Sequence, residues 1–273
     1  MMKEYVIIAL SVIIFFIIFY NFVRTVISEY KVACIQCDNR TNLQEDDLFN
    51  LNIKVNRLQC DKINVKHFFV PFKSDTPVFD KTKVLYNFME SIKNDYDVII
   101  FLDTIDAFIY NAYKLKKLID ILNKSDKYGM FSRDPNNHEV PKSLHSNYRH
   151  HEKKEQTFIN SGSFVIKNNE ETRNFLRDVI QYSETNTKFV RKWPYDQYYL
   201  SKYVYNNKDK FYIFKCNVLN SPYGSILRHN WKKNEELEND MINVTQHSEP
   251  SPNIKVKLEE LISTAPYECD FFS

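Results

Sequence analysis

Glycine is what this chain lacks: only Gly129, Gly162 and Gly224 occur in 273 residues, against roughly 7% in an average protein. Phosphate-binding turns of the G-x-G-x-x-G or Walker type need several close-set glycines, because only then can the backbone approach a phosphate. Three isolated glycines cannot build either, so classical dinucleotide-binding and P-loop chemistry is excluded. If such a chain handles phosphates, a metal ion and side-chain cations must replace the glycine backbone. Hydrophobic residues make up 43% of the chain, enough for a sizeable core. The formal net charge of +2 creates no basic field, so no nucleic-acid partner is expected.

Tyr5 to Val23 form an uncharged run of 19 residues, which as a helix spans the roughly 30 Å hydrocarbon core of a bilayer. No small-residue cleavage site follows it, so an uncleaved anchor is a better reading than a signal peptide. The expected organisation is a membrane helix over 1–23 and a soluble domain over 24–273. Lys3 stands on one side of the run and Arg24 and Lys31 on the other, so charge does not set the orientation. Asn39, Asn123 and Asn243 head glycosylation sequons, usable if the domain is lumenal. Of five cysteines only Cys34 and Cys37 are close. They fall in a strand-like run, which favours buried thiols or an opportunistic disulfide over a redox pair.

From residue 32 onward strand-like and helix-like segments alternate, the mark of an α/β domain with a largely parallel sheet flanked by helices. Strands are expected at Val32–Ile35, Val65–Val70, Val98–Leu102, Met130–Ser132, Thr157–Ile166 and Phe211–Phe214, with Ser225–His229 extended. Helical spacing recurs at Val84, Leu85, Phe88, Met89 and Ile92, and at Leu115, Leu118, Ile119 and Leu122. Further helices are expected from Glu170 to Tyr182 and from Pro194 to Tyr205. The polar stretch 133–157 reads as a long loop of the kind that forms lids. After about residue 234 an acidic connector and a last short helix are expected.

The strongest chemical signal is DVIIFLDTIDAFI, residues 97–109, in which a buried strand delivers Asp103 and then Asp106. Ligands of open α/β sheets bind at the carboxyl ends of strands, where this pair lies. Two carboxylates on a tight turn can hold Mn²⁺ or Mg²⁺ and leave sites for diphosphate oxygens. The alternative is structural: Asp106 caps the helix that reaches Asn123, and Asp103 merely ends a strand.

This stretch resembles the D-x-x-D or D-x-D turn of nucleotide-sugar glycosyltransferases with the GT-A fold. KTKVLYNFMESIKNDYDVIIFLDTIDAFI is similar to the glycosyltransferase domains of procollagen lysyl hydroxylases and collagen glycosyltransferases, where a lysine opens a helix and a strand ends in an Asp-rich turn. FINSGSFVI resembles that family's Asn-Ser-Gly-Gly-Phe strand, WPYDQYYLSKYV its Asp-Asp-Gln-Leu-Phe helix, and SILRHNWKKN its His-Gly-Asn segment. The matches stand in the order the family demands, within residues 32–234.

The resemblance implies a GT-A-like mixed, mostly parallel sheet, with Asp103, Asp106 and His229 on the metal. It implies a cofactor-binding group of Asp103, Asp106, Asn160, Ser161, Gly162, His229 and Lys232. Gly162 would let the backbone approach the donor sugar, and Asn160 would bond its hydroxyls. Lys232, with Lys233, would neutralise the departing diphosphate. Asp196 would be catalytic, orienting or deprotonating the acceptor hydroxyl. Two departures stand out: Ser163 replaces the family's second glycine, narrowing the sugar pocket, and Tyr195 replaces its first Asp. On residues alone, Asp196 instead favours the positive end of a helix, and Trp193 stacks on a sugar or packs.

The expected activity is metal-dependent transfer of a hexose from UDP-glucose or UDP-galactose to a hydroxyl of a protein or glycan, collagen-like hydroxylysine included. The expected location is a single-pass membrane protein of endoplasmic reticulum or Golgi type, with the domain lumenal. Two competing classes are a non-catalytic glycan-binding or scaffold protein, favoured by Tyr195 and Ser163, and a metal-dependent phosphoesterase.

Overall fold

The structure is a computed structural model and describes residues 30–40, 45–134, 158–185, 195–230, 235–246 and 257–262. The apolar run 5–23, residues 135–157 of the long loop, Trp193, Lys232 and Lys233 lie outside these. Among the described residues no helix is long and apolar enough to cross a membrane.

Strand β1 (Val32–Asp38) is buried along its whole length, as a strand covered on both faces must be. Helix α1 (Asp47–Asp61) follows, its start capped by the Asp46 side chain, which accepts from the Phe49 N–H at 3.0 Å. Next come β2 (Lys66–Pro71), α2 (Pro77–Ser91), β3 (Val98–Asp103) and the short β4 (Ala107–Ile109). Then follow α3 (Ala112–Lys124), β5 (Gly129–Arg133), β6 (Ile159–Lys167), α4 (Glu170–Thr185) and α5 (Tyr195–Asn206). The described chain closes with β7 (Phe211–Phe214), α6 (Cys216–Leu219), β8 (Leu227–His229), α7 (Glu235–Gln246) and α8 (Leu258–Leu261).

Six strands form one sheet in the order β2-β1-β3-β6-β5-β7. All run parallel except β6, which is antiparallel to both its neighbours. That reversal matters for the site. It lays the start of β6 beside the end of β3, with Ser163 opposite Leu102. A separate two-stranded ribbon pairs β4 with β8, setting Ala107 opposite His229.

One sheet face packs Phe101 flat on Phe164, with ring centroids 4.9 Å apart and Phe131 adjoining. Helices α2, α4 and α5 cover it through Leu85, Met89, Leu176 and Val204; burying such a side chain contributes about 1.5–3 kcal/mol. A second cluster joins Val55 of α1, Phe108 of β4, and Leu237 and Met241 of α7.

Besides the short β4 and α6, which were not expected, two longer elements differ from expectation. Residues 235–246 are a helix rather than a connector, because Leu237, Met241 and Val244 recur at helical spacing among the acidic residues and are buried. Helix α1 was not expected, since its inward face carries Asn52, Asn56 and Gln59. Cys34, Cys37 and Cys60 are free, buried thiols, so Cys34 and Cys37 are not bridged; burial pushes the Cys37 thiol up to about 12, with the Asp103 charge adding to it. Cys216 is disulfide-bonded.

Candidate active site

Asp103 is the last residue of β3, and a three-residue turn separates it from β4, so Asp106 falls just before the ribbon that carries His229. The three residues meet. His229 Nε2 lies 3.5 Å from Asp106 Oδ1 and 4.0 Å from Asp103 Oδ2, and one donor atom from each lies within 4.8 Å of the others. Oxygen ligands of a small divalent ion sit at roughly 2.1 Å from it, hence about 3 to 4 Å from one another, so this spacing fits a shared ion. Asp106 does not cap α3: Asn111 does, its side-chain oxygen accepting from the Lys114 N–H at 3.0 Å.

The histidine is oriented for this task. Asn160 Oδ1 accepts the backbone N–H groups of Gly162 at 2.8 Å and Ser163 at 3.1 Å, which identifies that atom as the oxygen. His229 Nδ1 faces it at 3.3 Å and faces Asn220 Oδ1 at 3.1 Å. Between two amide oxygens Nδ1 must be the protonated nitrogen, leaving Nε2 toward the carboxylates.

These contacts give Gly162 and Asn160 structural tasks beside the roles the resemblance implies. A Cβ on Gly162 would overlap His229 Cε1 and lie 2.6 Å from Asp103 Oδ2. The missing side chain therefore makes room for two of the candidate metal ligands. The Asn160 oxygen is likewise engaged within the protein. Ser163 is fully buried, and its hydroxyl donates to the Leu219 carbonyl.

A second group adjoins the first. Lys81 Nζ lies 3.0 Å from Asp103 Oδ1 and 3.5 Å from Asp196 Oδ2. The Ser161 hydroxyl donates to Asp196 Oδ2 at 2.6 Å. Asp196 Oδ1 is buried and has no hydrogen-bond partner among the described residues. Asp196 is thus more than a charge at a helix start, since its side chain is 3% exposed and ion-paired. Lys81 received no role from the sequence; its only signal was its place at the head of the matched segment, on α2. Asn220 had no signal at all.

Three carboxylates against one ammonium leave the cleft negative. Burial works against the Lys81 charge, but Asp103 and Asp196 outweigh it and hold its pKa above the ordinary lysine value. For His229, burial disfavours the imidazolium, yet the hydrogen bond and charge of Asp106, with Asp103, raise its pKa above the usual value. A divalent cation would balance this excess with hard oxygen and imidazole donors. The donor set fits such an ion.

No protein-family model matches the chain, and no curated protein matches it. Among solved structures it is similar to a glycosyltransferase involved in glycosylation of the major capsid of PBCV-1, with a TM-score of 0.56 and 11% identity over 78% of this chain and 99% of that one. Mouse xyloside xylosyltransferase 1 in its apo form aligns at a TM-score of 0.47 with 10% identity, covering 74% of this chain and 97% of that one. At such identities the likeness is one of fold: the chain shares the α/β fold of the PBCV-1 capsid glycosyltransferase.

Proposed function

We propose that this protein transfers a hexose from a UDP-sugar to a hydroxyl group of a protein or glycan acceptor with the help of a divalent metal. The observation that carries the reading is the meeting of Asp103, Asp106 and His229 beside the Lys81–Asp196–Ser161 group. The fold likeness supports it. Asp103, Asp106 and His229 Nε2 would hold Mn²⁺ or Mg²⁺, and the ion, when bound, would supply positive charge to the diphosphate of the donor. Lys81 holds Asp103 and Asp196 at a fixed separation. Ser161 and Lys81 occupy Asp196 Oδ2, so a base role would fall to Oδ1, which is buried here and would meet an acceptor hydroxyl only after the site opens. Lys232 remains the candidate partner of the leaving diphosphate. The resemblance of the motifs points to collagen-like hydroxylysine as acceptor and to UDP-glucose or UDP-galactose as donor.

The run 5–23 is proposed as a membrane anchor with the domain in the lumen. The disulfide at Cys216 supports that placement, because disulfides persist in oxidising compartments.

The test is a donor screen with the purified domain, in Mn²⁺ and in chelator, that follows both UDP release and the glycoside formed. Metal-dependent formation of a glycoside is expected. Release of phosphate without a glycoside would identify a phosphoesterase, and no turnover with any UDP-sugar would leave a non-catalytic protein.

A further inference from the structure

Helix α1 buries amides among the hydrocarbon of its inward face, Asn52, Asn56 and Gln59 beside Phe49, Ile53 and Val55. Asn52 and Asn56, with Gln36 of the adjoining β1, have no exposed surface at all. Buried amides are costly unless every hydrogen bond is made, and here the bonds go to one place. Gln36 Nε2 donates to the Asp103 carbonyl at 3.2 Å and to Asn52 Oδ1 at 2.8 Å. Asn52 Nδ2 donates to the Ile105 and Ala107 carbonyls, both at 3.0 Å. Asn56 Nδ2 donates to the Ala107 carbonyl at 3.2 Å, while its Oδ1 accepts the Ile109 N–H at 2.9 Å. Residues 103, 105, 107 and 109 are each held by a side-chain amide.

The segment so held needs holding. Ile105, between the two aspartates, has a φ of 79°, a left-handed conformation that a β-branched residue disfavours strongly. It is buried against Phe49 and Ile53, so packing keeps its side chain in place while Asn52 engages its carbonyl. Thr104 adds a bond from its hydroxyl to the Cys37 carbonyl at 3.0 Å. A hydrophobic face on α1 would pack at less desolvation cost, but it would leave these carbonyls unpaired and the turn free to relax to an ordinary φ.

We infer that Gln36, Asn52 and Asn56 are positioning residues that impose the strained turn and thereby set the separation of Asp103 and Asp106. The inference rests on the metal-dependent reading above. It places control of the ligand spacing in Gln36 of β1 and the buried face of α1, neither of which contributes a ligand. Removal of an outer partner of a metal site typically costs about 10–100-fold in affinity, and Asn52, with two bonds to the turn, is the residue to change.

The experiment uses the full chain in detergent and two readouts: Mn²⁺ affinity by calorimetry, and amide hydrogen exchange of the peptide spanning 103–109. Asn52→Leu, or Asn52→Ala if that variant does not fold, is compared with Leu122→Ala, which cuts a fully buried side chain from α3. Expected is an affinity loss of about 10–100-fold and faster exchange at 103–109 in the Asn52 variant, with neither change in Leu122→Ala at a similar melting temperature. Unchanged affinity and exchange in the Asn52 variant overturn the inference, and so do equal changes in Leu122→Ala. If the wild-type protein binds no Mn²⁺, the metal reading fails, while the exchange readout still decides whether Asn52 imposes the turn.

Discussion

His229 stands where Gly162 would carry a side chain. A Cβ added there would overlap the imidazole and approach Asp103 Oδ2 to 2.6 Å, so alanine at this position must displace both. Gly162→Ala is expected to lose Mn²⁺ binding and about 1–3 kcal/mol of stability through overpacking. Calorimetric titration checks the first and thermal melting the second. Undiminished Mn²⁺ affinity would remove Gly162 from the site.

Lys81→Met leaves Asp103 and Asp196 facing one another without their shared ammonium. Breaking a fully buried pair on one side costs about 3–5 kcal/mol; with Asp103 partly exposed the loss should lie at or below the lower end of that range, and be smaller still when Mn²⁺ replaces part of the missing charge. Melting with and without Mn²⁺ measures the difference. An equal loss in both conditions would show that Lys81 does not compensate the metal carboxylates.

The raised pKa of His229 gives metal binding a pH dependence. In the metal-free protein the imidazolium is favoured by Asp106 and Asp103. Its contribution to stability is complete below the unfolded pKa and is lost as pH rises through the raised folded value. A metal at Nε2 must displace that proton, so Mn²⁺ affinity should fall as pH drops below the raised value. Titrations in buffers of different ionisation enthalpy should show proton release on binding, absent in His229→Ala.

Asp196→Asn keeps the shape of the side chain and removes its proton-accepting charge. Glycosyl transfer should fall by ~10²–10⁴, while UDP and Mn²⁺ still bind. Near-normal transfer with a slightly lower melting temperature would return Asp196 to a structural role.

The strands of the main sheet and the proposed ligand trio were legible because both write themselves as residue pattern. Val98 to Leu102 is an unbroken apolar run, and Asp103, Asp106 and His229 fall on matched motifs. What escaped depends on contacts rather than pattern. Helix α1 was obscured because Asn52, Asn56 and Gln59 interrupt the apolar positions of its buried face, and polar residues read as surface. Helix α7 was obscured by the acidic residues around Leu237, Met241 and Val244. The local role of Asn160 could not be read either, since an amide that orients an imidazole looks, in sequence, like one that binds a sugar. Lys81 is drawn into the site by the crossover from α2 to β3, a relation no local window contains.

The pairing of Ala107 with His229 across the β4–β8 ribbon also orders events during synthesis. The two carboxylates leave the ribosome long before the imidazole, and β4 keeps an open edge until β8 arrives. A nascent chain that has passed Asp106 but not His229 holds an incomplete ligand set. The proposed metal site therefore cannot be complete before His229 has emerged and the ribbon can close.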